Sequence, residues 1–206
     1  MTELKYEIVK SGSSGNCVIV NDVMIDCGVP FKMIKEKLYD IAYLIITHIH
    51  SDHVNSRTLD AIKREFPRIT IIGNHEVYQA FKTDVISNEG FDVLTKDYCF
   101  TPFLCPHNVL VHGYVWEWEN QRIIYATDTM TLEHAPTDEK FDWFFIESNH
   151  DVKKLEEIKN REYTGYSPFL SSQRHLSTFD SKTFYYVNRR DKTSQWIELH
   201  KSERFY

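Results

Sequence analysis

Three imidazoles and a carboxylate fall within the segment His48-Ile49-His50-Ser51-Asp52-His53, directly after the apolar run 43–47. Imidazole nitrogen and carboxylate oxygen are the ligands that suit zinc, manganese or iron. A single histidine here would read as a satisfied core or surface residue. Four such groups together would each carry a desolvation cost without a shared purpose, and that argues for metal. In a tight loop at a strand end, His48 and His50 can turn one way and Asp52 and His53 another. So many ligands in one loop point to two adjacent metals.

Two metals need further ligands from elsewhere in the chain. Three residues stand where a strand candidate gives way to a loop: His107 after 100–105, Asp128 after 122–126, and His200 at the end of 195–200. Strand ends are where sites collect in α/β architectures.

Short runs rich in β-branched and aromatic residues supply the strands that hold these groups, at 5–9, 16–20, 23–26, 43–47, 70–73, 91–94, 100–105, 111–118, 122–126, 143–147 and 195–200. Helical patterns fall at 31–38 after Pro30, at 56–65, 76–82 and 152–159, and at 178–187 behind an N-cap at Ser177. Hairpins come first, helices follow single strands, and hairpins return in the middle. That order predicts sheets with helices packed outside, an αβ/βα sandwich. No repeat or Pro/Gly-rich linker divides the 206 residues, so one domain over 1–206 is expected.

A hydrophobic share of 42% and a charged share of 26% suit an ordinary globular core. The net charge of −6 excludes a large basic field for gripping duplex nucleic acid. Lys63, Arg64, Arg68, Arg174, Arg189 and Arg190 are the candidates for a basic strip within that acidic total, and scattered solvated charges are the preferred reading of most of them. No apolar run approaches the ~20 residues of a spanning helix, and the opening Met1-Thr2-Glu3-Leu4-Lys5 lacks a signal-peptide core. Cys17, Cys27, Cys99 and Cys105 form no CxxC pair. They read as reduced thiols, Cys17 and Cys27 as buried small hydrophobes, in a cytoplasmic protein.

His48-Ile-His50-Ser-Asp52-His53 resembles the HxHxDH signature of the metallo-β-lactamase superfamily. His107, Ala126-Thr127-Asp128-Thr129 and His200 resemble its later ligands, in the family's order. The resemblance implies a four-layer αβ/βα fold. It implies one metal on His48, His50 and His107, a second on Asp52, His53 and His200, and Asp128 bridging them. The metals implied are two divalent ions, Zn²⁺ first and Mn²⁺ as the alternative.

A narrower similarity covers nearly the whole chain. Ser11-Gly12-Ser13-Ser14-Gly15-Asn16-Cys17, Met24-Ile25-Asp26-Cys27-Gly28, Gly113-Tyr114, Glu147-Ser148-Asn149-His150-Asp151 and Arg174-His175-Leu176-Ser177 resemble the YycJ (WalJ) branch. Its members are regarded as DNA exonucleases, with tRNase Z and cyclic-nucleotide phosphodiesterases in the wider neighbourhood. The chain departs from the family at His107-Asn108, where His-Asp is usual, and at His200-Lys201-Ser202, where His-Leu-Ser is usual. His175-Leu176-Ser177 carries that tripeptide earlier and competes with His200 as last ligand. His200 is preferred because it follows a late strand.

The expected activity is therefore phosphodiester hydrolysis at a DNA or RNA end or in a cyclic or short nucleotide. Water activated between the cations is the nucleophile, and Asp52 and Asp128 orient it. His175 and His150 are the candidate acids or phosphate donors, with Arg174 as a neighbouring clamp; orienting a ligand is the other reading of His150. Only 71 residues separate Asp128 from His200, too few for a large RNA-clamping cap. Acyl hydrolysis of a lactam, lactone or thioester, and a non-catalytic metal-binding regulator, are the alternatives. The partners expected are a nucleic-acid end or nucleotide and no membrane; a homodimer is left open, since no apolar stripe in the sequence demands one. The turn 11–16 reads as a flexible hairpin turn or as backbone N–H groups and hydroxyls facing the metals or a substrate phosphate. His75 is expected to cap the helix behind it at the surface, and His112 and His134 to be structural or solvated. Phe184, Tyr185, Tyr186, Trp116 and Trp118 are expected to be core and strand face.

Overall fold

Valine, isoleucine and aromatic runs fit a pleated, half-buried surface, and here they build two mixed six-stranded sheets. The computed structural model describes residues 4–159 and 167–202. In it the chain divides into two compact units, Met1–Val93 and Leu94–Tyr206.

The first unit carries β1 (Tyr6–Lys10), β2 (Cys17–Val20), β3 (Val23–Ile25), β4 (Tyr43–Ile46), β5 (Thr70–Gly73) and β6 (Val85–Ile86), side by side in that order. β1, β2 and β3 pair antiparallel, and β3 to β6 pair parallel. Helices α1 (Phe31–Ile34), α2 (Ser56–Glu65) and α3 (His75–Phe81) supply Ile34, Leu59, Ile62 and Val77 to a core with Met24, Leu44, Ile46 and Ile71.

The second unit's sheet runs β12-β11-β10-β9-β8-β7. Its strands are β7 (Val93–Leu94), β8 (Cys99–Cys105), β9 (Val111–Trp118), β10 (Gln121–Ala126), β11 (Trp143–Glu147) and β12 (Gln195–Leu199). β8, β9 and β10 pair antiparallel, then β10, β11 and β12 parallel. α4 (Val152–Glu156), α5 (Pro168–Ser172) and α6 (Thr178–Asn188) follow β11. Phe184 and Tyr185 of α6 pack on Phe144 and Ile146.

This topology decides where chemistry can gather. β8, β10, β11 and β12 all point the same way, so Cys105, Ala126, Glu147 and Leu199 share one end of the second sheet. The register Ala126↔Ile146 and Glu147↔Leu199 sets their spacing. In the first sheet Ile25↔Ile45 brings Asp26 beside the end of β4. Loops at the carboxyl ends of parallel strands are the usual place for ligands in such sheets.

Most expected elements appear within a residue or two, and the differences have local causes. The expected helix 31–38 breaks into α1 and a 3₁₀ turn, Lys37–Asp40. That turn is closed by the tighter bonds Leu38 N–H to Lys35 O and Ile41 N–H to Leu38 O. Asn74, and not His75, caps α3: its side chain accepts from Val77 N–H, and His75 is the first helical residue, at the surface. Helix 152–159 stops at Glu156, and strand 91–94 shrinks to two residues because Phe91 bridges back to Asn88. β6 and α5 are additional to the expected elements. Cys17, Cys27 and Cys105 are buried free thiols and Cys99 is exposed. His112 is buried, His134 exposed, and Trp116 lies in the core. No helix among the described residues is long and apolar enough to cross a membrane.

Candidate metal centre

In the first unit, β4 delivers Thr47 and His48 at its carboxyl end, and the loop that follows turns sharply. The N–H groups of His53 and Val54 both bond His50 O. This loop sits against Gly28 so closely that a Cβ there would meet the Asp52 carbonyl oxygen at 1.7 Å. Only glycine fits. Cys27 N–H donates to His53 O and Asn16 N–H to Asp52 O, so the segments 15–16 and 27–28 clamp the histidine loop.

Asp26 orients the loop from beneath. It is fully buried and takes bonds from Thr47 N–H (2.8 Å), Thr47 Oγ1 (3.0 Å) and His53 Nδ1 (2.7 Å). Burial raises its carboxyl, with the charge of His53 and these bonds pulling the other way. Because His53 gives its Nδ1–H to Asp26, its Nε2 carries the lone pair, 3.6 Å from Asp52 Oδ2. His48 leans on Thr47 Oγ1 through Nδ1 at 3.0 Å and meets His50 Nδ1 with its Nε2 at 3.0 Å. The loop thus turns the nitrogens of His48 and His50 towards one another and groups Asp52 with His53.

In the second unit the ends of β8, β10, β11 and β12 bring together His107, Asp128, Glu147 and His200, and the segment before α6 adds His175. Asp128, Glu147, His175 and His200 each place a ligand atom within 4.8 Å of the others. Glu147 is the hub. One oxygen takes His175 Nδ1 at 2.6 Å and His200 Nδ1 at 3.1 Å, while the other takes Thr129 N–H at 2.9 Å. Burial would raise this carboxyl, but the charges and bonds of His175 and His200 outweigh it and hold it below its ordinary value. Conversely, burial would lower His175, and the charge and hydrogen bond of Glu147 carry it above the usual imidazole value.

His107 gives its Nδ1–H to Arg174 O at 3.2 Å, leaving Nε2 towards Asp128. Burial holds this ring below its ordinary value against the pull of Asp128, which keeps the lone pair available. The two Asp128 oxygens stand 3.8 Å from His107 Nε2 and 3.4 Å from His200 Nε2. Co-ligands on a tetrahedral cation with bonds of about 2.0–2.1 Å lie about 3.4 Å apart. A charged hydrogen bond would be closer, at about 2.7–2.9 Å. Buried Asp128 therefore has one imidazole nitrogen on each oxygen at co-ligand spacing, and the donor set fits divalent cations.

Three of these carboxyl-end residues adopt left-handed backbone: Asp26 (φ 61°), Asp128 (φ 49°) and His200 (φ 52°). Non-glycine residues held there cost of order 1–3 kcal/mol each and cluster at functional sites. His150 lies apart from the Glu147 hub's bonds. Its carbonyl takes Thr178 N–H. Its ring is buried, and Nδ1 has no hydrogen-bond partner among the described residues. Burial pushes it towards the neutral form.

All the expected site residues but His150 thus lie in one of two groups, His48, His50, Asp52 and His53 in the first unit and His107, Asp128, His175 and His200 in the second. Asp26 and Glu147 add to the expected set, and Asn16, within the turn 11–16, meets His53 through its side-chain amide and not through a hydroxyl or backbone N–H. The available signal was a polar residue closing an apolar strand, as in Val-Met-Ile-Asp26 and Phe-Phe-Ile-Glu147.

No family model matches the chain. Among curated proteins it is similar to the exodeoxyribonuclease WalJ of Streptococcus pneumoniae, 27% identical over 207 residues, covering 85% of this chain and 73% of the relative. It is also similar to the exodeoxyribonuclease YycJ of Bacillus anthracis, 26% identical over 183 residues, covering 74% of this chain and 65% of the relative. Among solved structures it resembles the metallo-β-lactamase fold protein YhfI from Bacillus subtilis, with a TM-score of 0.72, 14% identity, and 97% and 87% of the two chains covered. It also resembles the short form of human tRNase Z, with a TM-score of 0.70, 14% identity, and 97% and 93% covered. The chain has the metallo-β-lactamase fold, as its histidine motif implies, and its sequence likeness is to the WalJ/YycJ branch.

Proposed function

We propose that this chain is a metal-dependent phosphodiesterase that cleaves a nucleic-acid end or a nucleotide. The observation that carries the reading is the buried Asp128 carboxylate with an imidazole nitrogen on each oxygen, beside a histidine whose proton Glu147 secures. The relatives named as exodeoxyribonucleases support the substrate class.

The ligand set proposed is that of the fold family: His48, His50 and His107 for one cation, Asp52, His53 and His200 for the other, with Asp128 common to both. When bound, two divalent cations supply a water deprotonated near neutral pH and offset charge building on the phosphoryl oxygens. Zinc is the proposed pair, since imidazole and carboxylate suit it.

His200 is preferred to His175 as last ligand on geometry. His200 Nε2 is the nitrogen facing Asp128, with Nδ1 tied back to Glu147. His175 also binds Glu147 through Nδ1, and its raised affinity for protons suits it to hold one on Nε2 and give it to the leaving oxygen. His150 is the proposed donor to a phosphate oxygen, and a second copy of the chain the proposed protein partner.

Hydrolysis of bis(p-nitrophenyl) phosphate with Zn²⁺ or Mn²⁺ tests the reading, with His50→Ala as control. Metal-dependent turnover that His50→Ala loses is expected. His175→Ala should keep both metal equivalents and lose about 10²–10⁴-fold in rate. Faster turnover of a thioester than of the phosphodiester would replace this reading with acyl hydrolysis, and a His175→Ala protein short of one metal equivalent would make His175 the ligand.

A further inference from the structure

The turn between β1 and β2 does more than connect strands, and Asn16 at its end is the reason. Asn16 is 2% exposed, and its backbone is fixed on both sides: its N–H donates to Asp52 O at 2.6 Å, and its carbonyl accepts from Gly28 N–H at 2.9 Å. The side-chain orientation is also determined. Oδ1 accepts Gly12 N–H at 2.8 Å, so Nδ2 must point the other way, into the histidine loop.

There the two Nδ2 hydrogens face more acceptors than they can fully satisfy. His53 Nε2 lies at 2.8 Å, Gly12 O at 3.1 Å, Asp52 O at 3.3 Å and Asp52 Oδ2 at 3.4 Å. An amide NH₂ can only donate, so His53 Nε2 accepts, and this agrees with the tautomer that Asp26 imposes through Nδ1. His53 Nε2 has one lone pair. It can take the Asn16 hydrogen or a cation, and not both.

We infer that Asn16 is a positioning residue that competes with the metal for His53 Nε2 and thereby sets the affinity of the Asp52/His53 half of the site. The amide holds the imidazole and the Asp52 carboxylate in register before a cation arrives. On binding it gives up His53 and keeps Gly12 O and Asp52 as acceptors. His53 stays aligned throughout, because its Asp26 bond is on the far nitrogen and the main-chain bonds of residue 16 do not depend on the side chain. This inference rests on Asp52 and His53 being metal ligands.

The consequence runs against the usual expectation for a residue touching a ligand. Removing the Asn16 amide should tighten metal binding, because one hydrogen bond no longer has to be surrendered. A neutral hydrogen bond contributes about 0.5–1.5 kcal/mol, which corresponds to about two- to twelvefold in affinity. Asn16→Ala removes all the side-chain contacts. Asn16→Leu keeps the side-chain volume and removes the donors without adding a charge, so it remains informative if the alanine variant folds poorly.

The experiment is zinc titration of each metal-stripped protein against a chromophoric chelator, with the melting temperature of the metal-free form measured in parallel. Expected are a rise in affinity confined to one of the two equivalents, a lower metal-free melting temperature, and unchanged affinity at the other equivalent. Equal or weaker binding at both equivalents by a folded variant overturns the inference and leaves Asn16 as a loop clip. Wild-type protein that takes up no zinc overturns the ligand assignment beneath it. Histidine ¹H–¹⁵N correlation spectra of the metal-free wild type decide independently of any variant. His53 Nε2 must appear as an unprotonated, hydrogen-bonded nitrogen, and a protonated Nε2 there overturns the competition.

Discussion

Glu147 gives one oxygen to two imidazoles, holding the Nδ1 proton of His175 and competing for Nδ1 of His200 with the Asn149 amide, which stands 3.2 Å from that nitrogen and donates to His200 O at 2.9 Å. Carboxylates that orient ligating histidines are worth about 10–100-fold in metal affinity. Glu147→Gln should therefore lose that much zinc affinity by chelator competition while its far-ultraviolet circular dichroism stays native. An unchanged affinity would mean that the His200 ring is held by Asn149 alone. At this scale the histidine motif was legible because four metal-ligating groups in one short segment have no other economical explanation. Glu147, Asp26 and Asn16 were not, because a lone carboxylate or amide carries no spacing signal. Their importance comes from partners 20 or more positions away, as with Asp26 and Thr47 at |i−j| = 21.

Elements place these residues by ending where they do. β4 was readable as an apolar run, and its carboxyl end as the place for the motif. The helix borders were less so: capping by Asn74 depends on which side chain reaches Val77 N–H, and α1 gives way to a 3₁₀ turn through competing i+3 bonds. β6 has two residues and α5 five, too short for any periodicity to register. The contact between Gly28 and Asp52 was equally hidden, since it joins two loops that only parallel pairing of β3 and β4 brings together. Gly28→Ala should push the histidine loop away from the first sheet. We expect a loss of about 1–3 kcal/mol in urea unfolding, with weaker metal binding. A variant with wild-type stability and affinity would show that the loop can shift freely.

The whole molecule inherits a pH profile from the second-unit hub. Glu147 titrates below its ordinary value of about 4.3, so its contribution to stability is present above that value and is lost as pH falls through the depressed one. His175 titrates above its ordinary value of about 6.5, so its contribution is full below that value and is lost as pH rises through the raised one. His107 and His150, held neutral by burial, pull the other way below the imidazole range. The pair is therefore read as the excess urea midpoint of the metal-free wild type over Glu147→Gln, which should peak between about pH 4.3 and 6.5 and decline on both sides. An excess still rising beyond the imidazole range would show that the Glu147–His175 pair does not set it. The left-handed backbone at Asp128 leads to a last consequence. This position holds a nearly inaccessible charge in a conformation that asparagine tolerates better than most residues. In the metal-free protein, Asp128→Asn should raise the melting temperature by about 2–4 °C, the equivalent of about 1 kcal/mol, and lose metal at the same stroke. Heat tolerance and chemical competence are thus set against each other at one residue.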